Sequence, residues 1–222
     1  MGVQSSFGFT LGRMEKGRLN KITDVPGVRV GHVTRHEGGI NTGVTAILPH
    51  TGDMFHDKCP AASHVINGFG KSIGLVQVNE LGTIETPLLL TNTLSVGTAA
   101  TALVKYMLER NEDIGRDTGT VNPMVFECND GHLNDIRGLH VTEQNALDAL
   151  ANAADDFEEG AVGAGSGMSC YSLKGGIGSA SRVFELYGNK YTVGALLLTN
   201  FGTLRDLTIG GERVGERLYQ KK

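Results

Sequence analysis

Thr86-Pro87-Leu88-Leu89-Leu90-Thr91-Asn92-Thr93-Leu94-Ser95-Val96-Gly97 joins an apolar run to the start of a helix. Leu88 to Leu90 passes through Thr91-Asn92-Thr93, short polar residues of the type that accept the first free N–H groups of a helix. From Leu94 to Arg110 apolar residues recur at Ala99, Leu103 and Met107 and again at Ala100, Val104 and Leu108. That spacing predicts a capped helix. Further along, Met124 to Cys128 reads as a buried strand, Thr142 to Ala154 as a second helix and Tyr191 to Leu198 as another buried strand. Upstream, Ile22 to Val33 and Thr42 to Leu48 read as short strands, with a turn at Val25-Pro26-Gly27. Interleaved strand and helix blocks point to an α/β fold.

A chain of 222 residues lies within the size of one large domain. No repeat period or Gly/Ser linker divides it, so residues 1–222 read as a single domain. Glycine is the outlier: 32 of 222 residues, about twice the roughly 7% usual share. At that density glycine marks tight turns and close backbone approaches, above all in Ala161 to Gly178. The formal charge of -4 and scattered basic residues exclude a dedicated nucleic-acid surface. Val193 to Leu198, the longest clear apolar run, is too short to span a bilayer, and Met1 to Gly12 lacks the pattern of a leader. Cys59, Cys128 and Cys170, odd in number and widely spaced, fit free thiols in a reducing compartment. The expectation is a soluble cytoplasmic protein that meets neither membrane nor nucleic acid.

Several familiar motifs fail on a required residue. Gly70-Lys71-Ser72 resembles the end of a phosphate loop, but Val65 stands where the loop needs glycine. Gly163-Ala164-Gly165-Ser166-Gly167 approaches a dinucleotide fingerprint, yet Met168 replaces the third glycine. Ser166 has Ala164 and Met168 where a nucleophile elbow has glycines. His32 and His36 are four apart without the glutamate of a zinc-peptidase helix, and His56 with Cys59 makes no better ligand set. Neither a metal nor a cofactor is expected.

Three polar clusters remain. Glu127-Cys128-Asn129-Asp130-Gly131-His132-Leu133-Asn134-Asp135 follows the strand Met124 to Cys128. It is either an Asx-rich turn that caps its own backbone or a site. Glu127 favours a site, because a carboxylate at the end of an apolar strand needs a partner or a cationic ligand. Thr199-Asn200-Phe201-Gly202 also ends an apolar strand, where Asn200 is either a turn residue or an amide donor for an oxyanion. Gln77-Val78-Asn79-Glu80-Leu81-Gly82 reads equally well as a solvated loop.

Taken in order, the chain resembles a known family. Asn67-Gly68-x-Gly70, Gln77-Val78-x-Glu80-x-Gly82 and Thr86-Pro87-x-Leu89-Leu90-Thr91-Asn92-Thr93-x-Ser95-Val96-Gly97 are similar to motifs of the L-aminopeptidase D-amidase/D-esterase and β-peptidyl aminopeptidase family. Asn129-Asp130-Gly131-x-Leu133-Asn134-Asp135, Val162-Gly163-Ala164-Gly165-x-Gly167-Met168, Lys174-Gly175-Gly176-Ile177-Gly178 and Asn200-Phe201-Gly202 continue the series, which runs from about Ile22 to Gly215. The resemblance implies a layered α-β-β-α sandwich, also seen in ornithine acetyltransferases, and a self-processing hydrolase. In such an enzyme a precursor is cut at a Gly-Ser bond, and the new N-terminal Ser of a smaller subunit attacks an amide.

The two Gly-Ser steps here, Gly165-Ser166 and Gly178-Ser179, lie inside motifs of the larger subunit. The chain is therefore expected to be that larger subunit, with Leu218 to Lys222 leading toward the cut; a truncated longer chain is the rival account. The resemblance further implies a higher oligomer of two-subunit units acting on small peptides or amino-acid amides. Asn200 matches the family's oxyanion-stabilising Asn, and His132 stands where related sequences carry Tyr. Glu127 is expected to bind the substrate's free ammonium, with Asn129 and Asn134 shaping the pocket. An acyltransferase of the ornithine acetyltransferase type, or a non-catalytic binding protein on the same scaffold, is the alternative.

Overall fold

The computed structural model describes residues 12–221, so the leader reading of the first residues and the terminal Lys222 lie outside the described residues. The fold is mixed α/β. Strands β1 (Arg29–Glu37) and β2 (Ile40–Leu48) form a hairpin whose register closes at Glu37 opposite Ile40. Its two turn residues, Gly38 and Gly39, both have positive φ (50° and 92°). That is the turn whose twist matches paired strands, and it needs residues free of the Cβ penalty. Helix α1 (Leu75–Leu81) follows, and then β3 (Leu88–Asn92) pairs antiparallel with β2. Helix α2 (Val96–Arg110) leads to β4 (Met124–Cys128), which lies parallel to β3.

Side-chain alternation sorts this four-stranded sheet into two buried faces. Val44, Ala46, Leu89 and Val125 face α2 and α3 (Glu143–Ala151), meeting Val96, Ala99, Leu103, Ala146 and Leu150. The alternate residues Val30, Leu90 and Phe126 face the other way, against Phe157, Ala164, Ile177, Leu196 and Leu198. Ile177 belongs to β5 (Ile177–Leu186), and the two leucines to β6 (Asn189–Leu198), which pair antiparallel as a separate hairpin. Helices therefore cover one face of the sheet and the β5–β6 hairpin the other.

The capped helix read at Leu94 to Arg110 is present, with Thr93–Ser95 as a 3-10 turn and the Asn92 side chain accepting the Ser95 N–H at 3.0 Å. The second helix starts at a capping box. Thr142 Oγ1 accepts the Asn145 N–H at 3.2 Å and Asn145 Oδ1 accepts the Thr142 N–H at 3.0 Å. Thr142→Ala is expected to lower the unfolding free energy by about 1 kcal/mol, read as a lower urea midpoint at unchanged slope.

Four elements differ from the sequence reading. Gln77 to Gly82, which read equally well as a solvated loop, lies in helix α1 and its C-cap with Gln77 and Val78 buried, and the helix read over Thr142 to Ala154 ends at Ala151. Ile22 to Asp24 is a 3-10 turn, and the strand begins only at Arg29. The Asp24 carboxylate accepts the Leu19 and Lys21 N–H groups, and Pro26-Gly27, with Gly27 at φ 88°, breaks any extended run. The turn is tied to β5 instead: the Ile22 N–H donates to Ser179 Oγ at 2.7 Å, and Ser181 Oγ donates to Asp24 at 2.6 Å.

Tyr191 to Leu198, read as a strand buried on both faces, is covered on one only. Val193 and Leu197 are 58% and 53% exposed while Leu196 and Leu198 pack inward. Leucine and valine on both faces look alike in sequence whether one face or two is covered.

Among the described residues no helix is long and apolar enough to cross a membrane, and Cys59, Cys128 and Cys170 are free thiols. The glycine-rich segment makes the close approaches expected of it. A Cβ on Gly167 would lie 2.1 Å from the Asn41 carbonyl oxygen, so only glycine lets this turn lie against the start of β2.

Candidate active site

The parallel pairing of β3 with β4 sets Thr91 beside Glu127 and Asn92 beside Cys128. Both strands thus end together, and the polar residues that follow them meet there. Glu127 is half-buried. Its Oε2 accepts a hydrogen bond from Thr93 Oγ1, and its Oε1 accepts the Lys71 backbone N–H at 3.0 Å. A Cβ on Gly70 would lie 3.3 Å from Oε1, a tight contact that a small shift of the carboxylate would relieve.

The Lys71 ammonium turns away from the carboxylate. It lies 3.7 Å from the Phe69 ring centroid and donates to the Phe69 carbonyl. Gly70-Lys71 therefore presents its N–H to a carboxylate, which disposes of the phosphate-loop reading. Glu127 belongs to none of the ion pairs among the described residues, so its charge is met only by neutral donors. A carboxylate offers about four lone-pair sites, and only two of them are taken by hydrogen bonds among the described residues.

Asn129 and Asn134 act through different atoms. The Asn129 side chain closes an Asx turn, accepting the Gly131 N–H at 2.9 Å, while its backbone carbonyl accepts from Asn200 Nδ2 at 2.9 Å. Asn134 is buried and accepts the Asn41 N–H at 2.9 Å, fixing the turn to the start of β2. Between them Asp130 is enclosed; neither of its carboxylate oxygens, nor Asn134 Nδ2, has a hydrogen-bond partner among the described residues. Such orphans cost about 1–3 kcal/mol each. They are tolerated where something other than stability sets the sequence.

Asn200 follows β6 and is half-buried. One N–H of its amide is held by the Asn129 carbonyl, and the second makes no other described hydrogen bond. Asn200 lines a cavity of about 550 Å³ together with His132, Ser169, Lys174 and Phe201, and no carboxylate lines it. Asn200 and His132 therefore share a cavity. Glu127, Asn129 and Asn134 lie outside its lining, linked to it through the Asn129–Asn200 bond.

Cys128 stands between the two parts, its Sγ 3.7 Å from the Leu198 carbonyl oxygen. Burial, with smaller contributions from the charges of Glu127 and Cys170, pushes its thiol up to about 11. It is therefore a protonated thiol at neutral pH, unsuited to nucleophilic attack. A smaller cavity of about 370 Å³, lined by Arg29, His50, Tyr106 and Arg110, sits at the opposite ends of the strands, away from these clusters.

Sequence reasoning missed three participants. The Lys71 N–H is a backbone donor and has no side-chain signature. Thr93 was read only as part of a helix cap, whereas Asn92 does the capping and Thr93 is free to serve Glu127. Lys174 was noted only as a motif residue. No group of three or more His, Cys, Asp or Glu that could hold a metal ion occurs among the described residues.

Residues 20–222 match the model of peptidase family S58. The chain is 41% identical over 215 residues to the β-peptidyl aminopeptidase BapA of Sphingosinicella microcystinivorans, covering 92% of the chain and 53% of that protein. The crystal structure of a Pyrococcus horikoshii OT3 protein superposes with a TM-score of 0.96 at 55% identity, covering 99% of this chain and 65% of that one. The L-aminopeptidase D-Ala-esterase/amidase of Ochrobactrum anthropi, described as a serine aminopeptidase and a variant of the Ntn hydrolase fold, superposes with a TM-score of 0.87 at 38% identity. It covers 94% of this chain and 60% of its own. The chain spans about half the length of the curated relatives it matches.

Proposed function

The chain belongs to peptidase family S58, and from that premise we propose that it is the substrate-binding larger subunit of a serine aminopeptidase/amidase that removes N-terminal residues from small peptides, amides or esters. The observation that carries this reading is the pair of groups joined through one turn. A carboxylate with only two acceptor sites taken among the described residues stands at the end of β4, and an amide with one N–H anchored and one free stands at the end of β6. An enzyme acting on free N-termini needs both: an anion for the ammonium and a fixed donor for the oxyanion.

The nucleophile in this reading is the N-terminal Ser of a second polypeptide cut from the same precursor. Its hydroxyl attacks the scissile carbonyl while its own α-amine or a nearby base takes the proton. The oxyanion of the tetrahedral intermediate takes the free N–H of Asn200. Collapse breaks the C–N or C–O bond, the proton passes to the leaving group, and water hydrolyses the resulting ester. His132 lines the same cavity, and we propose it as a further hydrogen-bond donor.

The finer fold reading, an α-β-β-α sandwich, goes with the second polypeptide. Tyr191, Val193 and Leu197 face solvent on the outer side of the β5–β6 hairpin, where a second helical layer would cover them. We further propose a cytoplasmic assembly of several two-subunit units, the free thiols fitting a reducing compartment.

The test is intact mass and N-terminal sequencing of the protein made from its full gene, with hydrolysis of amino-acid amides measured alongside. A second polypeptide beginning with Ser, together with amide hydrolysis, is the expected result. A single uncut polypeptide without hydrolysis would overturn it in favour of a binding protein. Processing at Thr, with acyl transfer to an amine, would overturn it in favour of an acyltransferase.

A further inference from the structure

Lys174 ends a short hairpin in which Ser169–Cys170 pairs with Leu173–Lys174. Its ammonium meets three carbonyl oxygens, those of Gly165 at 2.9 Å, Met168 at 3.0 Å and Gly175 at 2.8 Å. Three acceptors need three N–H donors, so the contact set is that of the charged form; a neutral amine would turn a lone pair on one carbonyl. No ion pair among the described residues includes it. The cavity it shares with Asn200 has no carboxylate in its lining. An exposed lysine with no ion-pair partner among the described residues thus stands on the wall of the candidate active site, and the partial burial of its ammonium lowers its pKa from the ordinary lysine value.

Contacts place it relative to the other two groups. Glu127 leads through Cys128 to Asn129, whose carbonyl holds Asn200. A Cβ on Gly175 would lie 2.6 Å from the Thr199 carbonyl oxygen, so Lys174-Gly175 packs beside the residue preceding Asn200. The site therefore runs from Glu127 through Asn200 to Lys174. In an aminopeptidase substrate the free amine, the scissile carbonyl and the leaving group follow in the same order.

Resting on the aminopeptidase reading above, we propose that Lys174 is a specificity-determining residue: its charge favours leaving groups that carry a carboxylate, that is, short peptides with a free C-terminus, over the matching C-terminal amides. The Gly175 bond is exposed, unlike the two part-buried ones, and is the one a substrate carboxylate would replace.

The test compares a dipeptide with its C-terminal amide on the complete two-polypeptide enzyme. Wild type should prefer the free acid by about fivefold to a hundredfold in kcat/KM, carried by KM. The preference should shrink in 0.5 M salt as the charge is screened, persist in K174R and vanish in K174M. Equal rates on both substrates, a preference indifferent to salt, or one retained by K174M would overturn the proposal while the aminopeptidase reading stands. Hydrolysis of neither substrate by wild type would overturn both. Should K174M, with three carbonyls left bare, not fold, K174Q, which keeps two N–H donors but carries no charge, is expected to lose the preference in the same way.

Discussion

Asn200→Ala in the complete enzyme is expected to lower kcat on an amino-acid amide by about 10²- to 10³-fold with little change in KM. The reason is geometric. An amide NH₂ has two donors, and here one of them is consumed by the Asn129 carbonyl at 2.9 Å. That bond fixes the side chain before substrate arrives, so the second N–H needs no reorganisation when charge develops on the carbonyl oxygen, and it acts in the transition state more than in the ground state. Steady-state kinetics after confirmation of processing by intact mass is the measurement. A kcat within about threefold of wild type would remove Asn200 from the chemistry. Asn200→Asp is the sharper variant: it keeps the shape but sets a carboxylate against both the Asn129 carbonyl and the oxyanion, so it should be no more active than the alanine variant.

How far these roles can be read without coordinates depends on the distance in sequence over which each is built. The helix from Val96 to Arg110 and the strand Met124–Cys128 are local products of period and flanking residues, and both stand where the sequence put them, the strand to its boundaries. Ile22 to Val33 misled because its turn is stabilised by Ser179 and Ser181, about 157 residues away. Tyr191 to Leu198 misled because a leucine does not record whether anything covers it.

The candidate site divides the same way. Glu127 and Asn200 stand out as polar residues at the ends of apolar strands. Their supports do not, since the Lys71 N–H that holds Glu127 comes from 56 residues upstream and the carbonyl that holds Asn200 from 71. Lys174 shows the limit most clearly. A lysine before two glycines looks like a surface residue, and Lys174 is indeed exposed; only the convergence of three carbonyls on its ammonium sets it apart from other surface lysines.

Glu127→Gln is the second large effect expected, and it falls on binding. The substitution keeps the shape and a carbonyl oxygen for the Lys71 N–H, and its new NH₂ can donate to Thr93 Oγ1, so local structure has no reason to change. What is lost is charge, and nothing nearby compensates that charge. The Lys71 ammonium is stacked on Phe69, and no cation pairs with Glu127 among the described residues. A charge-assisted bond to a substrate ammonium contributes about 1.5–3 kcal/mol, so KM for free-amine substrates should rise by about 10- to 150-fold. Substrates whose amine is acylated present no charge to this position and should be hydrolysed by wild type and variant alike, at the low rate of substrates bound without it. The ratio between the two substrate classes is therefore the decisive number. A fall confined to the free-amine class places Glu127 at the ammonium, whereas equal losses for both classes would make it a brace for the Thr93 and Lys71 segments and leave ammonium recognition to the second polypeptide.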